Sequence, residues 1–294
     1  MHNTAWLDAH CHLWTLRRGD YDWLDIANPE LAPIARDFEW SDLNAAYGSS
    51  GITQSILVQA AASNEETDYL LSIAQKRPSI LGVVGWADLE SPKLAEHLSK
   101  LASNPLCLGI RPMLQDIPDT HWILGKNQQA ALSALCQTSL RLDALITPRH
   151  LEVLLKTCIA HPQLSVIINH AAKPDFHNLK SPQYQQWSEG MEALAKETAV
   201  MCKVSGLLTE MSPEQTDSPQ KALAALKPVF EQLLNCFGPK RLVWGSDWPV
   251  LTLAADFNFW FEVSCQLLEP LSKAERQDIA RGNAMRFYGL KEIM

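Results

Sequence analysis

The hydrophobic positions of this chain cluster in short, nearly solid runs, and stretches with helical spacing separate them. Eight runs predict strands: residues 5–12, 52–59, 80–86, 106–111, 140–146, 164–170, 199–205 and 241–247. The stretches between them predict helices starting near Ser41 or Asp42 and then covering residues 64–77, 91–103, 127–138, 148–160, 182–197 and 219–236. Two more, near 252–268 and 272–288, close the chain. Pro78 stops one helix and Pro148 suits the first turn of another. Several strands lack the in-out alternation of a half-exposed sheet, as expected of a parallel sheet covered on both faces. Eight β/α units in under 300 residues is the count of a (β/α)8 TIM barrel, one domain over residues 1–294. An open doubly wound sheet is the runner-up, but no GxGxxG follows the first strand. Two long irregular segments, 13–40 and 171–182, interrupt the alternation, and loops of such length commonly serve as lids or binding loops.

Composition narrows the function classes. The net charge of -8 and the absence of a basic block argue against nucleic acid. No apolar run approaches the ~20 residues of a membrane span. The N-terminus shows no charged-then-apolar leader, so a cytoplasmic protein is expected. Seven cysteines, an odd number without a CxxC pair, suit a reducing compartment. Oligomeric state is open, a homo-oligomer included.

The candidate chemistry lies where apolar runs end. In a TIM barrel, side chains at the C-terminal strand ends face one mouth. That rule selects His10 and His12, Gln59, Trp86, Arg111, Asp143, His170, Lys203 and Ser205, and Asp247. Asp247 ends the last strand in Val243-Trp244-Gly245-Ser246-Asp247-Trp248-Pro249, and a carboxylate at that depth requires partners. Strand alternation puts His10 and His12 on one side with Cys11 opposite, a pair able to grip a metal ion. Plainer readings exist: an Arg111–Asp143 ion pair, and a Lys203 that snorkels out of the barrel. His2, His97, His121, His150, His161 and His177 are expected as surface or capping groups.

The string Asp8-Ala9-His10-Cys11-His12-Leu13-Trp14 resembles the opening of the amidohydrolase superfamily. More narrowly, the chain resembles its sugar-lactonase branch, which includes L-fuconolactonase-like and L-rhamnonolactonase-like enzymes. The likeness runs through Gly109-Ile110-Arg111-Pro112 with Gln115-Asp116, Asn169-His170-Ala171-Ala172-Lys173-Pro174 and Cys202-Lys203-Val204-Ser205-Gly206-Leu207. It continues in Phe237-Gly238-Pro239-Lys240-Arg241-Leu242, Gly245-Ser246-Asp247-Trp248-Pro249-Val250 and Gly282-Asn283-Ala284. The resemblance implies a barrel that hydrolyses lactones, with its strand-1 pair on His10 and His12, its strand-6 His on His170 and its strand-8 Asp on Asp247. Binuclear members carry a carboxylated Lys on strand 4 and a His on strand 5; Arg111 and Asp143 stand there instead, so no binuclear centre is expected. One divalent ion, zinc first, held by His10, His12 and Asp247 with or without His170, is one expectation; metal-independent action is the other.

On that reading Asp247 is the general base, His170 and His12 assist, and Arg111 and Lys173 hold substrate. Trp14, Trp248 and Trp23 are candidate apolar walls, Trp23 being equally well explained by packing in its own loop. The expected partner is a small lactone. A metal-dependent decarboxylase and a non-catalytic binding barrel are the alternatives.

Overall fold

The computed structural model describes residues 4–291, so His2 lies outside the described residues. Its strands are β1 Asp8–Cys11, β2 Ser55–Val58, β3 Ile80–Gly85, β4 Cys107–Ile110, β5 Arg141–Ala144, β6 Val166–Ile168, β7 Met201–Val204 and β8 Leu242–Trp244. They pair in parallel in chain order, β1 through β8. Past the end of β8 the seam to β1 is tied by two backbone bonds: Asp247 N–H donates to the His10 carbonyl and His12 N–H to the Trp248 carbonyl, each at 2.7 Å. A sequential order meeting at its own seam is a TIM barrel, not the doubly wound alternative.

The helices are α1 Trp40–Tyr47, α2 Asn64–Gln75, α3 Leu94–Ser103, α4 Lys126–Leu135, α5 Leu151–Ala160, α6 Pro182–Glu197, α7 Pro219–Phe237 and α8 Phe257–Leu268. Strand alternation divides the apolar side chains between two cores. Ile56 and Val58 join Leu7, Ala9, Val84, Leu108, Ile167 and Val243 in an inner cluster that Met285 and Tyr288 also enter. Leu57 belongs to the outer cluster, where the strands meet the helices.

Three expectations shift, each for a local reason. Helix α1 starts at Trp40 because Glu39 and Asp42 form a reciprocal capping box, leaving Ser41 inside the helix. Helix α8 starts at Phe257, where the Asp256 side chain accepts from the Phe259 N–H. The helix expected over 272–288 comes in pieces, Lys273–Gln277 and Asn283–Phe287 joined by a wider turn at Asp278–Gly282. In that turn the Ala280 carbonyl is free to accept the Leu7 N–H at 2.9 Å.

Segment 13–40 is not an open loop. Trp14 and Phe38 exchange two backbone bonds across its neck, and Tyr21, Leu24 and Ile34 are buried beneath it. It therefore forms a packed cap on one side of the mouth. Among the described residues no helix is long and apolar enough to cross a membrane. All seven cysteines are free.

Candidate active site

The His10–His12 pair depends on a break in β1. Leu7 and Ala9 enter the inner core, while Asp8 accepts from the Tyr47 hydroxyl of α1 on the outside at 3.1 Å. Strict alternation would turn His10 outward with Asp8. The register to β2 shifts between Asp8 and Cys11, and this irregularity returns His10 to the mouth. Cys11 then points away, 0% exposed in the outer core. The pairing expected from alternation is present, but a bulge produces it.

Asp247 is placed by Asp8. The Asp8 carboxylate accepts from the Ser246 N–H at 2.9 Å and from the Ser246 hydroxyl at 2.5 Å. These bonds hold the chain into the left-handed turn at Asp247, φ 61. Aspartate is among the few non-glycine residues that visit this region readily. The resulting carboxylate has three imidazoles around one oxygen. Its Oδ1 lies 3.1 Å from His12 Nε2, 3.6 Å from His10 Nε2 and 3.7 Å from His170 Nε2. Burial pushes the Asp247 carboxyl up, but His170, His12 and Arg111 outweigh it and hold the group below the usual carboxylate range.

His170 reaches this position from an unusual backbone. His170, Ala171, Ala172 and Lys173 all have φ between 48 and 56. Consecutive left-handed residues cost about 1–2 kcal/mol each for L-amino acids. The Trp187 indole N–H donates to the Ala171 carbonyl at 2.7 Å and buttresses the turn. The His170 Nδ1 lies 3.0 Å from the Ser205 hydroxyl.

Beneath the carboxylate, His10 stands between two cations. Its Nε2 is 3.2 Å from Arg111 Nη1 and its Nδ1 is 3.2 Å from Lys203 Nζ. A neutral imidazole has one lone pair, so only one of these donors can be accepted at a time. Arg111 does not pair with Asp143. Its guanidinium is gripped by the Gln59 carbonyl and Gln59 Oε1, and Gln59 Nε2 in turn donates to the Arg111 carbonyl at 2.7 Å. Lys203 does not snorkel; it is 0% exposed and donates to Asp143 at 2.6 Å. Burial pulls the Lys203 ammonium below its usual value, and Asp143 opposes that. Asp143 also accepts from Asn169 Nδ2 at 3.0 Å and from the Tyr288 hydroxyl at 2.8 Å.

Above these groups opens a cavity of about 240 Å³ lined on its floor by His12, Arg111, His170 and Asp247. Lys173 reaches its wall, ion-paired with Glu210 at 3.2 Å. Of the three tryptophans, Trp23 lines the cavity, 37% exposed, with its indole N–H donating to the Ala60 carbonyl at 2.7 Å. Trp14 and Trp248 do not serve as walls. Trp14 is wholly buried behind Trp23 and donates to the Arg36 carbonyl, and Trp248 packs edge-on against Phe38. Each indole is more useful to the cap's own core than to a cavity.

Asp8, Glu210 and Gln115 escape a search of strand ends. Asp8 lies two residues before His10 on the outer side of β1, and the other two lie on loops whose course no periodicity reveals. Gly206 was legible only as part of a motif. Its φ is +59, and a Cβ there would sit 2.4 Å from His170 Nδ1 and 2.8 Å from Asp247 Oδ2. Gly206→Ala is therefore expected to lower kcat by roughly 100-fold, the scale of an ångström-level misplacement. Steady-state kinetics on protein with parental circular dichroism checks this, and a rate within threefold of the parent would contradict it.

Burial also sets a pH dependence. It pushes His10 well below its ordinary value, His12 below it, and His170 down to about 3. It pushes the Asp8 carboxyl up to about 6 and the Glu66 carboxyl up to about 7. As the pH falls through the usual histidine range, these three imidazoles take up protons more readily in the unfolded chain than in the folded one. Over the same range the folded chain holds protons on two carboxyls that the unfolded chain has lost. Burial lowers His150 and His161 as well, so the unfolded chain binds more protons overall and stability is expected to fall as the pH drops from about 6.5 toward 5. Urea titration of metal-free protein at pH 7, 6 and 5 measures this, and a midpoint that rose on acidification would contradict it.

The donor set at the mouth has the chemistry of a metal site. One ligand atom each from His10, His12 and Asp247 lies within 4.8 Å of the others. His12 Nδ1 is 2.8 Å from the Val58 carbonyl and can only donate there, so on binding a cation His12 would offer its Nε2 lone pair beside Asp247 Oδ1. A lone pair aimed at a carboxylate fits a cation between them. The set suits zinc in ligand type, with Arg111 beside His10 Nε2 as the opposing charge.

Comparison with known proteins places this geometry. The family model described as amidohydrolase matches residues 7–290. The chain is 37% identical over 289 residues to an L-fucono-1,5-lactonase of Burkholderia ambifaria, covering 96% of this chain and 94% of that protein. It is 32% identical to an L-fucono-1,5-lactonase of Burkholderia multivorans, covering 97% and 96%. A solved amidohydrolase from Burkholderia multivorans with bound zinc superposes with a TM-score of 0.89 at 31% identity, covering 98% of this chain and all of that one.

Proposed function

This chain belongs to the amidohydrolase family, and from that premise we propose that it is a hydrolase opening a sugar lactone, with Asp247 as the general base. The observation that carries the proposal is the Asp247 carboxylate, ringed by His12, His10 and His170 at the floor of a cavity, in a chain so similar to two lactonases.

In this mechanism a water beside Asp247 attacks the lactone carbonyl carbon and gives its proton to the carboxylate. The carbonyl π electrons move to oxygen, forming a tetrahedral oxyanion. That charge falls near Arg111 and the Nε2 edge of His170; preorganised donors of this kind are typically worth about 3 kcal/mol each. Collapse of the intermediate breaks the ring C–O bond, and the departing alkoxide recovers the proton from Asp247. The product is an open hydroxy acid. Because its neighbours keep Asp247 ionised, it is ready to act as a base, while burial limits competing water. His10, His12 and Asp247, with His170 adjacent, would hold a zinc ion, which when bound supplies Lewis-acid polarisation and a more acidic water.

A panel of aldonolactones read with a pH indicator tests the reading, since hydrolysis releases acid. L-Fucono-1,5-lactone, the substrate named for the two relatives, is expected to turn over with kcat/KM of about 10⁴ M⁻¹s⁻¹ or more. Failure to open any lactone in the panel would overturn it.

A further inference from the structure

The cavity lining carries an uneven set of charges among the described residues. It holds two permanent cations, Arg111 and Lys173, against three carboxylates, Asp116, Glu210 and Asp247. Arg111 is already held by Gln59 and His10. Lys173 is already paired with Glu210 at 3.2 Å, both side chains about a quarter exposed. With Arg111 committed to the reacting carbonyl and Lys173 to Glu210, no lining cation among the described residues is left over for a carboxylate elsewhere on the substrate. Gln115 adds the opposite preference: its side-chain Oε1 is buried in the cavity wall without a hydrogen-bond partner. An unpaired buried acceptor favours a ligand that brings a hydroxyl donor.

Resting on the lactonase reading above, we infer that the Lys173–Glu210 pair together with Gln115 sets substrate specificity. These groups select neutral, polyhydroxylated lactones and reject lactones that carry a carboxylate. Lys173 can donate to one ring hydroxyl while Glu210 accepts from its neighbour, a complementary pair for a diol. Gln115 Oε1 accepts from a further hydroxyl. A carboxylate placed there would meet Glu210 without a free cation, a like-charge contact that disfavours binding. The same arrangement disfavours unsaturated carboxylic acids, the substrates expected of a decarboxylase.

The test is Glu210→Gln, which keeps shape and removes charge, with Lys173→Met as a second variant. Each is assayed on L-fucono-1,5-lactone, on unsubstituted δ-valerolactone and on glucarolactone, which carries a carboxylate. For Glu210→Gln, kcat/KM on the neutral sugar lactone is expected to fall about tenfold or more, chiefly through KM, the scale of losing a hydrogen bond to a charged group. δ-Valerolactone should be opened within threefold of the parent rate, because it has no hydroxyls to recognise. On glucarolactone the kcat/KM of Glu210→Gln should itself rise about tenfold or more, since Lys173 is released. Lys173→Met should lose the neutral sugar lactone without that gain. Equal effects on all three substrates, or no rise on glucarolactone with Glu210→Gln, would overturn the specificity role while leaving lactone hydrolysis intact. A parent enzyme that opens none of the three would instead remove the lactonase reading and this inference with it.

Discussion

Asp247→Asn is expected to reduce kcat on the best lactone by about 10³-fold, within the usual 10²–10⁴ contributed by a positioned acid or base. Asparagine has the same outline and tolerates the left-handed backbone at φ 61. Its Oδ1 can still sit among His12, His10 and His170, so the cavity should keep its shape. What the amide cannot do is take a proton from the attacking water. The loss should therefore appear in kcat and kcat/KM together, with KM changed little, as for an interaction made only in the transition state. Circular dichroism and the thermal midpoint control for folding. A folded variant that keeps the parental rate would mean that another group is the base.

The second large effect is on stability. Lys203→Met should destabilise the protein by about 3–5 kcal/mol, the cost of leaving a buried charge without its partner. The stranded charge is Asp143, 0% exposed and 2.6 Å from Lys203 Nζ. Asn169 and Tyr288 still donate to Asp143, but neither brings positive charge. For a chain of this size the thermal midpoint should fall by roughly 10 °C. Adding Asp143→Leu should recover part of the loss, because an apolar pair avoids the desolvation that the ion pair suffers. Full recovery is not expected, since the Tyr288 hydroxyl and the Asn169 amide would then be left without their acceptor. A single variant as stable as the parent would show that Lys203 and Asp143 are not the charged pair described.

The eight-stranded pattern was legible because most barrel strands are short, apolar and separated by capped helices. Even so, their ends ran beyond the paired residues: 164–170 was expected where Val166–Ile168 pairs, because the strand gives way to the left-handed turn that carries His170. No propensity announces such a turn; it survives because Trp187 and the surrounding core hold it. The polar residues of the mouth were legible for a simple reason. A carboxylate or imidazole closing an apolar run has few explanations. Depth was not legible. Asp143 and Lys203 share strand ends with Asp247 and His170 in the sequence, yet they sit below the mouth as a buried pair. Which tryptophan faces the cavity was likewise hidden, because the cap's course depends on contacts such as Trp14 with Phe38.

The most direct measurement is a structure of the Asp247→Asn variant holding intact L-fucono-1,5-lactone. The expected result places the lactone carbonyl carbon within one water of residue 247, with its oxygen toward Arg111 and His170 and its hydroxyls toward Lys173, Glu210 and Gln115. A lactone bound in the same cavity with its carbonyl turned away from residue 247, out of reach of any shared water, would contradict the assignment of Asp247 as the base.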